Sequence, residues 1–272
     1  DTTIPYGAFQ NCDFIESITI PTGTTSISAF AFKNCKSITE MNFGSSLTTI
    51  GQYAFHGCIS LKRMNSSTDG VIILPTNLTV IPSHTFQGCV EITKVVVGNI
   101  TEIGAYAFSG CESITQFNSN NNEELIIPSG VTKIGEFAFQ NLSSITKIVV
   151  PDTVTEIGEG AFKGCAALED ITLPFIGKTA NYNESREAVF GYIFGRYSSN
   201  TSSRPTGTIY QGWGKYGDSY LITETSGDNR GYNSYCYADY YYIPTSIKKV
   251  TITSDTTIPY GAFQNCDFIE SI

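Results

Sequence analysis

Apolar and polar residues follow a short pattern that recurs along most of the chain, usually every 22 or 23 residues. Each copy begins with an Ala-Phe-x-x-Cys motif, or a slight variant, and continues with apolar residues at positions i, i+3 and usually i+5. Self-similarity at such a period predicts a repeat architecture. The motif phenylalanines are Phe9, Phe32, Phe55, Phe86, Phe108, Phe139, Phe162 and Phe263. Successive ones lie 23, 23, 31, 22, 31, 23 and 101 residues apart.

The apolar pattern predicts one short strand in each repeat, as at Ile92, Val95 and Val97. A unit of this size cannot bury its own apolar face, so stacking of successive units is needed to form a continuous core. Glycine before the Ala-Phe segment permits a tight turn, and proline after the strand ends its hydrogen-bonding ladder. Two repeats have 31 residues. Their extra residues are expected to form the same loop elaboration twice.

The repeat unit, Ile-Gly-x-x-Ala-Phe-x-Gly-Cys-x-x-Ile-x-x-Ile-x-Ile-Pro, resembles that of the BspA-like (Treponema-type) leucine-rich-repeat family. The resemblance covers about residues 1–174 and 243–272, and eight units in sequence make it specific. It implies a leucine-rich-repeat solenoid, a curved right-handed array with a parallel β-sheet on its concave face. Such an array is mostly β with short helical or 3-10 turns, here interrupted by one Tyr/Gly-rich insertion. The family also implies secreted or cell-surface proteins that bind host proteins or other cells without catalysis.

The pattern divides the chain into three parts. Residues 1–174 are expected to form seven solenoid rungs, residues 175–243 an aromatic-rich insertion, and residues 244–272 a continuation of the solenoid. Residues 255–272 repeat residues 1–18 without a change. The simplest account is a longer polypeptide in which a 254-residue cassette is copied in tandem, since the chain starts inside a repeat and stops mid-strand without a polar capping unit.

Composition narrows the classes of partner. Charged residues make up only 15% of the chain, against roughly 25% in a typical globular protein. The net charge of −9 argues against nucleic acid or anionic lipid as the main partner. No run of 18 apolar residues occurs, so no membrane span is expected in this segment.

Seven of the eight cysteines occupy one register of the repeat, and Leu142 takes that place in the sixth rung. A position that accepts leucine is a buried apolar slot, in which a free thiol packs as a small hydrophobe. Parallel side chains that point into one core seldom form disulfides. We therefore expect a column of free thiols in preference to disulfides or a metal site. Cys236 lies off this column.

No candidate catalytic site emerges from the sequence. His56 and His84 lie in repeat loops beside motif phenylalanines, without a Gly-x-Ser-x-Gly, His-Glu-x-x-His or reactive-cysteine context. The paired carboxylates Glu123-Glu124 and Glu169-Asp170 are interpreted as solvated faces. The sequence predicts neither an enzyme nor a cofactor or metal site.

One candidate contact surface lies on the predicted sheet. The residue at i+2 of each strand pattern is expected to face the concave groove. In the four middle rungs this column reads Arg63, Lys94, Gln116 and Lys147. A basic strip of about 15 Å would hold an acidic segment of a partner. The alternative is a solvated face whose charges keep the sheet soluble.

The insertion is the favoured contact surface. It holds 12 of the 16 tyrosines, the only tryptophan and four of the five arginines, among Ser, Gly and Asn. Rigid aromatic anchors among adaptable polar residues are typical of recognition surfaces, and such residues also stack on sugars. The alternative is a structural insertion that caps the curve. The residues predicted to contact a partner are Tyr210, Trp213, Tyr216, Tyr220, Tyr235 and Tyr237.

Local patterns predict some structure inside the insertion. Residues 175–177 and 190–195 are expected to dock against the neighbouring rung. Residues 208–210 and 220–223 are expected to form a hairpin around Gly212-Trp213-Gly214.

Two functional hypotheses follow. The first is a non-enzymatic, extracellular or cell-surface repeat protein that mediates adhesion or protein binding, with proteins or cell-surface glycans as partners. The second is a structural unit of a long tandem-repeat extracellular filament or stalk, with end-to-end self-association.

Overall fold

The structure is a computed structural model. It describes residues 2–180, 187, 190–196, 208–216, 219–221, 239–259, 262–263 and 266–272, with only the backbone described in 208–216, 219–221, 239, 240 and 242. The strands are β1 (Thr3–Ile4), β2 (Ser17–Thr19), β3 (Ser26–Ile27), β4 (Glu40–Asn42), β5 (Thr49–Ile50), β6 (Arg63–Met64), β7 (Val71–Ile73), β8 (Val80–Ile81), β9 (Lys94–Val96), β10 (Glu102–Ile103), β11 (Gln116–Phe117), β12 (Glu124–Ile126), β13 (Lys133–Ile134), β14 (Lys147–Val149), β15 (Glu156–Ile157), β16 (Asp170–Leu173), β17 (Thr208–Tyr216), β18 (Ser219–Leu221), β19 (Asp239–Pro244) and β20 (Lys249–Ile252).

These strands build a parallel-strand β-solenoid of about seven turns with little helix, which confirms the predicted fold class. One side is a ten-stranded sheet in the order β2-β4-β6-β7-β9-β11-β12-β14-β16-β20. A second side consists of two-residue strands, in the orders β1-β3-β5 and β8-β10-β13-β15. The segments that carry the Ala-Phe-x-x-Cys motif form the third side, which we call the turn side.

The ten-stranded sheet follows the period-two rule of strands. In β9, for example, the middle residue Val95 is fully buried, whereas Lys94 and Val96 on either side of it are only partly buried. Ile148 and Ile171 take the same buried place in β14 and β16. Middle residues therefore form the core, and first and third residues form the outward face.

The turn side is a hydrogen-bonded ladder in its own right. The N–H groups of Phe30, Phe32 and Asn34 donate to carbonyls of the following rung at 3.1, 2.9 and 2.7 Å. Corresponding bonds recur in later rungs, so the backbone of each turn segment is satisfied by its neighbour. The motif phenylalanines stack inside this ladder from Phe9 to Phe162, with ring centroids 5.1–6.0 Å apart and planes within 15°.

The predicted column of free thiols is confirmed. Cys35, Cys58, Cys89, Cys111 and Cys165 are free and buried, and Cys12 is free and partly buried. The sulfur of each of these five buried thiols donates to the carbonyl oxygen of the motif phenylalanine one rung earlier, at 2.8–3.5 Å. Cys236 lies outside the described residues.

The two 31-residue repeats contain more than the predicted loop. Each adds a strand to the ten-stranded sheet, β7 in one repeat and β12 in the other. The connections, residues 65–70 and 118–123, are short for parallel neighbours, but the strands they join are only two or three residues long. The first and last residues of each connection have left-handed backbone, which turns the chain back. They are Asn65 and Gly70 in the first connection and Asn118 and Glu123 in the second.

The chain leaves the ten-stranded sheet after β16 and returns to it at β20, the neighbouring strand. β16 pairs directly with β20, with Asp170 beside Lys249. Phe175, Ile176 and the 3-10 helix Phe190–Phe194 are buried, and the N–H of Phe162 donates to the Ile193 carbonyl at 2.9 Å. The prediction that these segments dock on the neighbouring rung is therefore confirmed.

The predicted hairpin exists, but its strands extend further than the sequence indicated. β17 runs through to Tyr216 and pairs with β18, which begins at Ser219. Gly212-Trp213-Gly214, expected at the turn, lies inside β17, and Trp213 is opposite Asp239 of β19. Gly212 pairs with Tyr240 of β19 and Gly214 pairs with Leu221 of β18, so strand pairing holds both glycines extended, which their local turn preference does not predict.

Candidate binding surface

The outward face of the ten-stranded sheet carries a column made by the first residue of each strand. The prediction of which repeat residues point outward is correct, but the column contains two residues that the sequence analysis did not include, Val71 and Glu124. In spatial order it reads Ser17, Glu40, Arg63, Val71, Lys94, Gln116, Glu124, Lys147, Asp170 and Lys249.

The predicted basic strip is therefore not continuous. Val71 of β7 separates Arg63 from Lys94, and Glu124 of β12 separates Gln116 from Lys147. Six strands, not four, span the distance from Arg63 to Lys147, which is about 24 Å instead of about 15 Å. The 31-residue repeats produce this difference because each contributes two strands to the sheet.

Carboxylates pair with two of the three basic residues predicted to contact a partner. Arg63 lies 2.7 Å from Glu40 and 3.3 Å from Asp69. Lys147 lies 3.1 Å from Glu124. Within the residues that the structure describes, no carboxylate lies within ion-pair distance of Lys94. The positive charge of the strip is thus concentrated at Lys94.

Glu124 is a buried carboxylate held by three partners. Ser119 Oγ donates to its Oε2 at 2.5 Å, Asn121 Nδ2 donates to the same oxygen at 2.8 Å, and Lys147 pairs with Oε1. The pKa of Glu124 is held below its ordinary value, chiefly by the Ser119 hydrogen bond and then by that of Asn121. The carboxylate therefore stays ionised at neutral pH and fixes residues 118–123 to the sheet.

Two loops stand over the outward face, one on each side of β9. Loop A is residues 65–70 between β6 and β7, and loop B is residues 118–123 between β11 and β12. Asp69 of loop A contacts Arg63, and Asn122 of loop B accepts a hydrogen bond from Gln116 at 2.7 Å. Because Arg63 and Gln116 belong to the outward column, these contacts place both loops on the outward side.

We call the surface between loops A and B the central trough. Its floor consists of Val71 and Ile73 of β7 with Lys94 and Val96 of β9. Ile73 is 38% exposed, and the other three residues are partly buried. This surface was not predicted from the sequence. The available signal was the segment Val71-Ile72-Ile73-Leu74-Pro75, which repeats the strand-then-proline pattern inside one repeat.

The structure describes the backbone of four of the six insertion residues that were predicted to contact a partner. Tyr210, Trp213 and Tyr216 lie on β17, and Tyr220 lies on β18, in one antiparallel sheet with β19. The backbone of Tyr210 is opposite that of Tyr242. The two remaining residues, Tyr235 and Tyr237, lie outside the described residues. Their role in binding stays a prediction.

A second aromatic column, which the sequence analysis missed, lies on the turn side. The residue two positions before the motif phenylalanine is aromatic in five successive rungs, and its backbone is left-handed in each, with φ of 52–61°. Neighbouring rings stack at centroid distances of 4.2–4.9 Å. We call this the turn-side aromatic column; its members are Phe30, Tyr53, His84, Tyr106 and Phe137.

One of the two histidines, His84, is a member of the turn-side aromatic column. His84 lies between the rings of Tyr53 and Tyr106, and its Nδ1 is 2.7 Å from Gln87 Oε1. Burial lowers the pKa of His56, with a smaller contribution from Lys33. The sequence carried a signal for this column, because the position is aromatic or glycine in every rung from Gly7 to Gly160.

Neither a membrane-spanning helix nor a metal-binding cluster is found in the part of the chain that the structure describes. No helix there is long and apolar enough to cross a bilayer. No group of three or more His, Cys, Asp or Glu side chains in that part is arranged to hold a metal ion.

The stacked rungs, the parallel sheet and the inward apolar columns define a leucine-rich-repeat solenoid. A model of the BspA type leucine rich repeat region matches six copies over residues 2–122 and 115–190. Because these residues make up more than half of the chain, the protein belongs to the BspA-type leucine-rich-repeat family. No curated protein sequence matches it.

Several solved structures are similar to this chain. A leucine rich repeat protein of T. pallidum shares 27% identity, with a TM-score of 0.49 over 57% of this chain and 68% of that one. A leucine rich cell surface protein of Faecalibacterium prausnitzii shares 23%, with a TM-score of 0.39 over 62% and 56%. The pneumococcal vaccine antigen PcpA shares 17%, with a TM-score of 0.40 over 67% and 56%. The chain thus spans little more than half of the latter two.

Proposed function

We propose that this chain is a non-enzymatic, surface-displayed or secreted repeat protein that binds other macromolecules. The observation that supports this most is the central trough, an apolar floor between two polar loops. The floor lies on a hydrogen-bonded sheet, and loop B is fixed by the Glu124 network. Contact groups held on rigid elements lose little entropy when a partner binds, which favours a recognition surface.

The aromatic sheet formed by β17, β18 and β19 is the second proposed contact area. It carries Tyr210, Trp213, Tyr216 and Tyr220 and connects to the stretch with Tyr235 and Tyr237. Tyrosine and tryptophan offer large contact areas at low conformational cost, and they suit both protein and glycan partners.

Binding to immobilised matrix proteins, intact cells and a glycan panel tests this function. The first variant lacks residues 116–123, which removes loop B, and the second combines Trp213→Ala with Tyr216→Ala. We expect at least one of them to lose most of the binding. Thr251→Ala is the control, because Thr251 lies on the same sheet, several strands from the trough. Wild-type binding by both variants, or no binding by the intact chain, contradicts the proposal.

Deleting the whole of residues 175–243 is not a suitable test. Phe175, Ile176 and the 3-10 helix Phe190–Phe194 are part of the solenoid core. Tyr241 and Ile243 are also fully buried. Loss of binding after such a deletion would report a damaged core and not a missing contact surface.

A filament or stalk unit is the second candidate function, and one observation favours it. Residues 1–18 and 255–272 are identical in sequence, yet they pair through opposite edges. Ser17 pairs forward with Glu40, whereas Ser271, its counterpart, pairs backward with Lys249. In a tandem array, a single copy of this segment would have a neighbouring strand on each side. The two observed pairings show that each of its edges can pair with such a neighbour.

Electron microscopy of the native material tests the second candidate. We expect regular rods whose axial repeat corresponds to one 254-residue cassette, because each cassette would add the same number of rungs. Isolated short particles of the complete polypeptide would contradict the filament hypothesis without affecting the binding hypothesis.

A further inference from the structure

We infer that the central trough binds a polypeptide segment that places a carboxylate beside apolar side chains. This inference rests on the proposed binding function and specifies the chemistry of the partner at one surface. Three features carry it, namely the charge at Lys94, the apolar residues around that charge, and the loops on both sides.

The charge at Lys94 differs from every other basic charge in the outward column. Arg63, Lys147 and Lys249 each have a carboxylate of the same sheet within 2.7–3.7 Å. Lys94 has none among the described residues, because its neighbours in the column are Val71 and Gln116. A partner carboxylate would give Lys94 the counter-charge that the sheet supplies at the other three positions.

The surroundings of Lys94 strengthen such a pair. Val71 lies beside it in register, and Ile73 lies beside Val96, so the ammonium group rises from an aliphatic surface. When a partner covers these side chains, water is removed from the ion pair and the attraction between the two charges becomes stronger. The same covering buries apolar area, of which Ile73 supplies the most exposed part at 38%.

The loops favour an extended polypeptide as the occupant. They connect β6 to β7 and β11 to β12, and the two strand spacings from β7 to β11 measure about 10 Å, which suits one extended chain with its side chains. Exposed polar residues of the loops, such as Thr68 and Asn120, can hydrogen-bond with a peptide backbone. The floor contains no aromatic ring, so it lacks the flat faces on which sugars stack.

Selection of a displayed library of short random peptides on the full chain tests the inference. We expect the enriched peptides to share an Asp or Glu flanked by apolar residues. Lys94→Glu should weaken their binding by about tenfold or more, which corresponds to about 1.4 kcal/mol or more. Lys94→Arg should retain most of it. The affinity should also fall as salt rises, since an ion pair is involved.

Lys36→Glu is the matched control. It makes the same change of charge at an exposed lysine that follows the turn-side motif in the rung of β4, three strands from β9. Because Lys94 is partly exposed, Lys94→Glu should leave the fold intact, which circular dichroism and thermal melting of both variants can verify.

Three results overturn the inference. They are the absence of enriched peptides, enrichment without an acidic residue, and binding that is indifferent to Lys94→Glu. If peptides or proteins bind but respond only to Trp213→Ala, the binding function stands and the trough is not its site. If the chain binds no partner of any class, the proposed function fails as well.

Discussion

A buried cysteine of this solenoid fills an apolar slot and also donates to a carbonyl of the preceding rung. Burial raises the pKa of Cys111 and Cys165 to about 12, and it raises the pKa of Cys58 and Cys89 as well. These thiols are protonated in the native state at any physiological pH. They are therefore core residues with low reactivity toward oxidants and alkylating reagents.

The raised thiol pKa values predict a loss of stability at alkaline pH. In the unfolded chain Cys111 and Cys165 titrate near the ordinary thiol pKa of 9.0, whereas in the native state they titrate near 12. The unfolded state therefore loses protons first as the pH rises above 9, so this contribution is present below pH 9 and is lost toward pH 12. Each thiol should remove about 1 kcal/mol from the unfolding free energy by pH 10.

Urea unfolding at pH 8 and pH 10 measures this effect. Cys165→Leu is the comparison, because Leu142 already fills the same slot one rung earlier. This variant should lose about 1 kcal/mol less than the wild type between the two pH values. Equal losses would show that Cys165 does not contribute.

Tyr53 combines a left-handed backbone, φ 60°, with ring stacking on both faces. A non-glycine residue in this conformation costs about 1 kcal/mol, and aromatic stacking offsets that cost. Tyr53→Ala removes the stacking but keeps the strain, whereas Tyr53→Gly removes both. We therefore expect the glycine variant to be more stable than the alanine variant by about 1 kcal/mol, as measured by chemical denaturation. Greater stability of the alanine variant would contradict this account of the column.

At the scale of elements, the short connections explain how one repeat supplies two strands. β6 and β7, like β11 and β12, are parallel neighbours joined by only six residues, because each strand is two or three residues long. The extra strands widen the sheet and bring loops A and B to its outward side. The proposed binding surface is thus a consequence of the 31-residue repeats.

Deletion of residues 116–123 should convert one 31-residue repeat into a regular rung. It joins Thr115 to Glu124 and leaves Ile114-Thr115-Glu124-Leu125-Ile126-Ile127-Pro128, which matches Ile145-Thr146-Lys147-Ile148-Val149-Val150-Pro151. We expect a folded protein with a nine-stranded sheet and one wall of the trough missing. Circular dichroism and a cooperative thermal transition check the fold. Unfolding of this variant would mean that loop B is required for the solenoid itself.

At the scale of the molecule, each rung is stabilised by its two neighbours through sheet pairing, turn-side hydrogen bonds and stacked side chains. Stability of such arrays rises as rungs are added, since every junction contributes a similar interface. The identical segments 1–18 and 255–272 pair forward in one place and backward in the other.

A polypeptide made of residues 1–254 followed by residues 1–272 should form one continuous solenoid. We expect small-angle X-ray scattering to show a single rod about twice as long as that of the 272-residue chain, with a higher thermal midpoint because of the additional junction. Two rigid bodies joined by a flexible link would contradict continuous stacking, and would count against the filament hypothesis.

The sequence alone determined the repeat, its inward columns and the buried thiols. The repeat and its inward columns follow from the spacing of apolar residues within one unit. The buried thiols follow from the presence of Leu142 at the cysteine position of the sixth rung, because a position that holds leucine is apolar. The turn-side aromatic column was also recoverable, since its position is aromatic or glycine in each rung. The family resemblance followed from the same residues and is confirmed.

Only the tertiary structure decided which charges and apolar residues share a surface. Val71 and Glu124 entered the outward column because β7 and β12 pair with strands of other repeats. Pairing with β12 gave Lys147 its counter-charge in Glu124, whereas pairing with β7 placed Val71 beside Lys94, which has no carboxylate within ion-pair distance among the described residues. Likewise, pairing with β19 kept Gly212 and Trp213 in a strand. In each case the outcome depends on neighbours that are distant in the chain, and no local pattern specifies them.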